Sequence, residues 1–137
     1  MQAKLESESV REITSCTGTM QIASNRNGIA YEDWRRDFVD KRGLIQIYQL
    51  VDRPEQYVIY FYLTCGKFMH TSFGNLQMDD KEIKMETKNS IYGFAVDPEN
   101  TPEEFYPMLA ANSQLYYWQE LEIQMASRES TKGDSEN

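Results

Sequence analysis

Residues 44–63 read LIQIYQLVDRPEQYVIYFYL, and this stretch decides the fold class. Two runs, Leu44–Val51 and Tyr57–Leu63, are rich in β-branched and aromatic side chains and are separated by DRPEQ. Such residues fit a pleated, half-buried surface. Tyr57–Leu63 makes the strongest strand in the chain. It is also the longest apolar run, with seven residues. A helix crossing a bilayer needs about 20.

Outward from this pair, more short strand-like runs appear. Thr17–Ala23 places Met20 and Ile22 on one side. Trp34–Asp40 (WRRDFVD) reads as a strand with Trp34, Arg36 and Phe38 on one face, and Trp34 directed inward. Lys41-Arg42-Gly43 then reads as a hairpin turn into Leu44. Cys65-Gly66-Lys67 turns the Tyr57 run back toward Phe68–Phe73. Glu82–Thr87 alternates, and Asn89-Ser90 turns it into Ile91–Val96. The DPENTP cluster at 97–102 reads as a turn. Glu104–Ala110 is expected as a last strand, at an edge or bulge because of Pro107.

The period changes at Gln114–Ala126. Leu115, Trp118, Leu121 and Met125 form an apolar stripe on an amphipathic helix, with Asn112-Ser113 where an N-cap belongs. The expectation is mainly β, or α+β: seven to eight antiparallel strands in a barrel or sandwich, closed by one C-terminal helix. Residues 1–15 read as a flexible lead-in, 16–127 as the folded domain and 128–137 as a disordered polar tail.

The 137 residues suit one domain with a real core. Net charge is −8, which argues against bulk nucleic-acid binding. Cys16 and Cys65 read as reduced thiols, so the chain is expected to be cytoplasmic. His70 is the one histidine, too few for a histidine zinc site or a histidine-based catalytic triad that does not run through it. No calcium loop, P-loop or dinucleotide fingerprint is present. A non-catalytic protein without metal or cofactor is expected.

Several segments together resemble the pleckstrin-homology family. TGTMQI (17–22) is similar to its first strand, WRRDFV (34–39) to its second and GLIQIY (43–48) to its third. LAANS (109–113) followed by YYWQEL (116–121) is similar to its closing passage, where the last strand turns into a helix with Trp and Leu three apart. The resemblance implies a small barrel that acts as a targeting or interaction module in signalling or cytoskeletal proteins. It also implies a headgroup site at the end bearing Arg26, Arg35, Lys41 and Arg42. Asp37 stands where the family carries a second basic residue, and Glu32, Asp33 and Asp40 are interleaved. Phosphoinositide contact, as a peripheral membrane protein, is therefore expected to be weak and salt-sensitive.

A protein partner is the main expectation, through the tyrosine-rich face of Tyr57, Tyr60 and Tyr62. The alternative is a small acidic inhibitor or immunity-type protein, with Asp79, Asp80 and Glu82 covering a basic partner site.

Overall fold

The structure is a computed structural model that describes residues 10–111. The helix expected at Gln114–Ala126, with Trp118, lies outside the described residues, as do the 128–137 tail and residues 1–9 of the lead-in. Seven strands are present among the described residues: β1 (Val10–Asn25), β2 (Arg42–Leu50), β3 (Tyr57–Tyr62), β4 (Phe68–His70), β5 (Gly74–Met78), β6 (Glu82–Thr87) and β7 (Ser90–Val96). All pairings are antiparallel. Six strands close into a barrel in the order β1-β2-β3-β5-β6-β7, with β7 returning to β1; β4 lies on the flank of β3. One short helix follows, α1 (Tyr106–Ala111). Among the described residues, no helix is long and apolar enough to cross a membrane.

The apolar continuity of β2 and β3 has a direct cause, because both faces are buried. Ile45, Ile47, Ile59 and Phe61 point into the barrel with Met20, Ile83 and Phe94. Leu44, Tyr48, Val58, Tyr60 and Tyr62 form a second core on the outer face, with Phe105 and Leu109 packed on it. Each large side chain so buried contributes about 1.5–3 kcal/mol. β6 is buried on one face only, so it alternates: Ile83 and Met85 are buried, Glu82 and Lys84 exposed.

β1 is long because it serves both halves of the barrel. Its first part pairs with β2 up to Thr19, and its second part pairs with β7 from Gly18 onward. Gly18 sits at that change of partner. A Cβ there would collide with the Ala95 carbonyl oxygen, so only glycine lets the two backbones approach. A register shift between Met20 and Ile22 follows. This bulge reverses the alternation, so Ala23 is buried with Met20 and Ile22 faces outward, not on one side with Met20 as expected. Residues 10–15, expected as lead-in, are strand.

Two further expectations are corrected. Trp34–Phe38 is a 3₁₀ turn, not a strand. The Asp33 side chain accepts the Arg35 backbone N–H and caps it. The turn drops Phe38 into the barrel mouth, where it is 1 % exposed and packs against Phe61. Trp34, expected inward, is 51 % exposed. The hairpin expected at Lys41-Arg42-Gly43 is instead the entry into β2, reached through Asp40 in the left-handed region at φ 66°.

Residues 102–111, expected as a strand from Glu104 to Ala110, are a 3₁₀ turn (Pro102–Phe105) running into α1. Pro102 and Pro107 each sit in the first turn of a helical segment, where the missing N–H has no helical partner to lose.

Candidate functional site

Connections 26–41, 63–67 and 88–89 are brought together: the Tyr31 hydroxyl bonds Asn89 and Ser90, and Lys67 pairs with Asp37. This loop cluster carries six cations (Arg26, Arg35, Arg36, Lys41, Lys67, Lys88) against four acids (Glu32, Asp33, Asp37, Asp40). The connections 51–56, 79–81 and 97–101 are acidic, with Asp52, Glu55, Asp79, Asp80, Asp97 and Glu99 against Arg53 and Lys81. The segment after β7 borders the basic cluster, because Thr19 pairs with both Arg42 and Ala95 and Arg42 bonds Asp97. Charge is thus uneven among the connections of a chain whose net charge is −8.

The basic loop cluster is divided in two by the plug at Trp34–Phe38. On one side is a cavity of about 430 Å³ between the plug, β4 and the β6–β7 turn. It exists because β4 pairs only with β3, and β5 meets β3 only at Tyr57↔Gly74, so the wall parts between β4 and the end of β6. Arg35, Lys88 and His70 line it, with Tyr31, Trp34 and Phe68 as aromatic walls. Among the described residues, no carboxylate side chain lines it.

Arg35 is held in place. Its guanidinium carbon lies 3.9 Å from the Tyr31 ring centroid and 5.0 Å from that of Trp34. Its Nη1 donates to Asp33 Oδ2 at 2.7 Å. The turn opposite is tied to the same segment: Arg26 Nη1 donates to the Thr87 carbonyl at 3.0 Å, and the Tyr31 hydroxyl hydrogen-bonds Ser90 Oγ at 2.6 Å. Thr87 Oγ1 accepts the Ser90 N–H, which fixes the turn itself. Lys88 extends from this turn, is exposed, and forms no ion pair among the described residues.

On the other side of the plug is an open cleft of about 680 Å³, lined by Arg36, Asp37, Lys41, Arg42, Cys65 and Lys67. Its charges are largely engaged. Lys67 pairs with Asp37 at 3.0 Å. Arg42 pairs with Asp97 at 2.6 Å and Glu104 at 2.9 Å. These bonds, that to Asp97 foremost, hold the guanidinium more firmly protonated. The four basic residues expected as one headgroup site are therefore not together: Arg35 lines the cavity, Arg26 bonds the β6–β7 turn beside it, and Lys41 and Arg42 line the cleft.

The tyrosine face is corrected. Tyr60 and Tyr62 are 1 % and 0 % exposed, and Tyr57 is half-buried, so they do not offer an open binding face. Tyr60 stacks on His70 at 4.9 Å. In the β5–β6 turn, the Asp79 carboxylate accepts the backbone N–H groups of Lys81 and Glu82, both at 2.8 Å. Those bonds hold its pKa below the usual range and assign Asp79 to its own turn. Asp80 and Glu82 are exposed. Cys16 is buried and Cys65 exposed, both as free thiols.

Sequence reasoning missed Lys88, His70, Phe68 and Tyr31. The available signal was a lysine at the tip of a two-residue hairpin, in a segment read only for its turn. No family model, no curated protein and no solved structure matches the chain.

Proposed function

We propose that this chain is a non-catalytic docking module of pleckstrin-homology-like build, whose basic loop cluster meets an anionic membrane leaflet. The observation that carries the reading is the surplus of cations in the joined connections 26–41, 63–67 and 88–89, in a chain whose net charge is −8. Such a charge distribution orients a molecule on a negative surface before contact. Ile29 and Trp34, 64 % and 51 % exposed, lie in the same connection and supply apolar contacts to the interface. The bent first strand shared by both halves of the barrel supports the family likeness.

The attraction is weak. A surplus of two cations, at about 1 kcal/mol each near an anionic leaflet, gives modest and salt-sensitive binding. The buried tyrosine face removes the surface first expected to meet a protein partner, which is why the membrane is preferred here. Co-sedimentation tests the reading with vesicles of phosphatidylcholine alone, or with phosphatidylserine or a phosphoinositide added, at low and physiological salt. Binding to the anionic vesicles that weakens with salt is expected. Absence from every pellet at low salt overturns the membrane reading and leaves a protein partner, to be sought by pull-down.

A further inference from the structure

We infer that the cavity between β4 and the β6–β7 turn is a binding site for an organic phosphate monoester, held between Arg35 and Lys88. Its membrane-borne source, a lipid headgroup, rests on the docking reading above; a soluble phosphate does not.

The lining decides the sign of the ligand. Two cations face the cavity and, among the described residues, no carboxylate does, in a chain where acids outnumber basic residues 22 to 14. Asp33 takes one N–H of Arg35 but is not part of the lining, and a guanidinium has five N–H donors. The hydroxyls of Ser72 and Ser90 and the amide of Asn89 also line the site. Two cations with several neutral donors suit a dianion with three acceptor oxygens better than a carboxylate with two.

Volume and walls decide the rest of the ligand. A cavity of about 430 Å³ falls in the range of small-molecule sites and is much larger than a bare phosphate needs. The remaining space is bounded by Tyr31, Trp34 and Phe68, which suits an organic group beside the phosphate. The site is also preorganised. Arg35 is fixed on the Tyr31 ring, and Tyr31 is bonded to Ser90 on the turn that carries Lys88, so both sides of the cavity are joined before any ligand enters.

The test is a titration of the full ¹⁵N-labelled chain with phenyl phosphate, inorganic phosphate and, as control, sodium chloride, read by amide chemical shifts. Saturating shifts at Arg35, Lys88, Asn89 and Ser90 are expected with phenyl phosphate, and weaker binding with inorganic phosphate. Lys88→Gln is expected to lower phenyl phosphate affinity about tenfold with the rest of the spectrum unchanged, since one charge-assisted contact is lost. Arg35→Lys is expected to do the same. Shifts confined to residues 36–42 and 63–67, no saturation, or an affinity unchanged by Lys88→Gln overturns the site.

A vesicle arm separates the two sources. Phosphatidylcholine vesicles carrying phosphatidic acid, a lipid monoester, are compared with vesicles carrying phosphatidylserine, a diester. Preference for phosphatidic acid that Lys88→Gln abolishes supports the site with a lipid source. Phenyl phosphate binding without vesicle binding keeps the site and removes the docking reading. Vesicle binding that ignores Lys88→Gln keeps the docking reading and removes the lipid as the source; with phenyl phosphate affinity also unchanged by Lys88→Gln, it overturns the site.

Discussion

The Tyr31 hydroxyl oxygen lies 2.6 Å from Ser90 Oγ and 3.2 Å from the Asn89 carbonyl oxygen. One phenolic proton serves one acceptor well. If it goes to the Asn89 carbonyl, which can only accept, the short bond is donated by Ser90. Through this pair the long β1–β2 connection is joined to the β6–β7 turn, residues 58 and 59 positions apart in sequence. Tyr31→Phe keeps the ring under Arg35 and removes both bonds. The expected loss is about 1 kcal/mol of stability, read as a lower urea midpoint with unchanged slope. Amide exchange at the turn is expected to speed up more than in the β2–β3 core.

Phe38 closes the barrel mouth, so its truncation leaves a hole in the inner core. Phe38→Ala is expected to destabilise the fold by about 3–5 kcal/mol, and Phe38→Leu by much less. Denaturant unfolding of both variants checks this. If Phe38→Ala costs less than 1 kcal/mol, the plug is not a core element.

The two variants bear on what could be read from the chain alone. The β2–β3 pair was legible because burial on both faces leaves a continuous apolar run that nothing else in the chain imitates. Glu82–Thr87 and Ser90–Val96 were legible because one face is wet or a hairpin turn intervenes. Trp34–Phe38 was not. Over five residues, alternation puts Trp34, Arg36 and Phe38 together, whereas a helical turn brings Trp34 and Phe38 together and sends Arg36 away. Asp33, a capping residue before the turn, was the overlooked cue. The cavity was less legible still. Arg35 and Lys88 are brought together by barrel closure, and no local spacing encodes that. The tyrosines misled for a related reason: strand alternation says which side chains share a face, not whether α1 and the Phe105 turn cover that face.

The Arg42 cluster sets an acid dependence. Glu104 accepts hydrogen bonds from the Thr101 hydroxyl and from Arg42, and these, in that order, hold its pKa below the ordinary glutamate value. A carboxylate depressed in the folded state stabilises the fold above its unfolded pKa. That contribution disappears as pH falls through the folded pKa. The unfolding midpoint is therefore expected to drop below roughly pH 4, where unfolded glutamates begin to take protons. Asp79, depressed by its two backbone N–H donors, acts in the same direction. Thr101→Val removes the larger cause at Glu104 and is expected to flatten the slope of midpoint against pH in this window. An unaltered slope assigns the acid sensitivity elsewhere.

The two thiols are expected to differ sharply. Burial first, and the neighbouring charge of Asp97 second, raise the Cys16 pKa to about 11, so at pH 8 almost none of it is thiolate. Cys65 is exposed at the tip of the β3–β4 hairpin, beside Gly66 in its left-handed turn. Reaction with a thiol-exchange reagent at pH 8 is expected to modify one cysteine quickly in the native protein and both in denaturant. Cys65→Ser then leaves a native protein that reacts only at the rate at which the barrel opens, so the residual rate measures opening around β1. Fast reaction of Cys16 in that variant would show that the junction of β1 with β2 and β7, where the Gly18 approach seals the barrel, opens readily in the folded state.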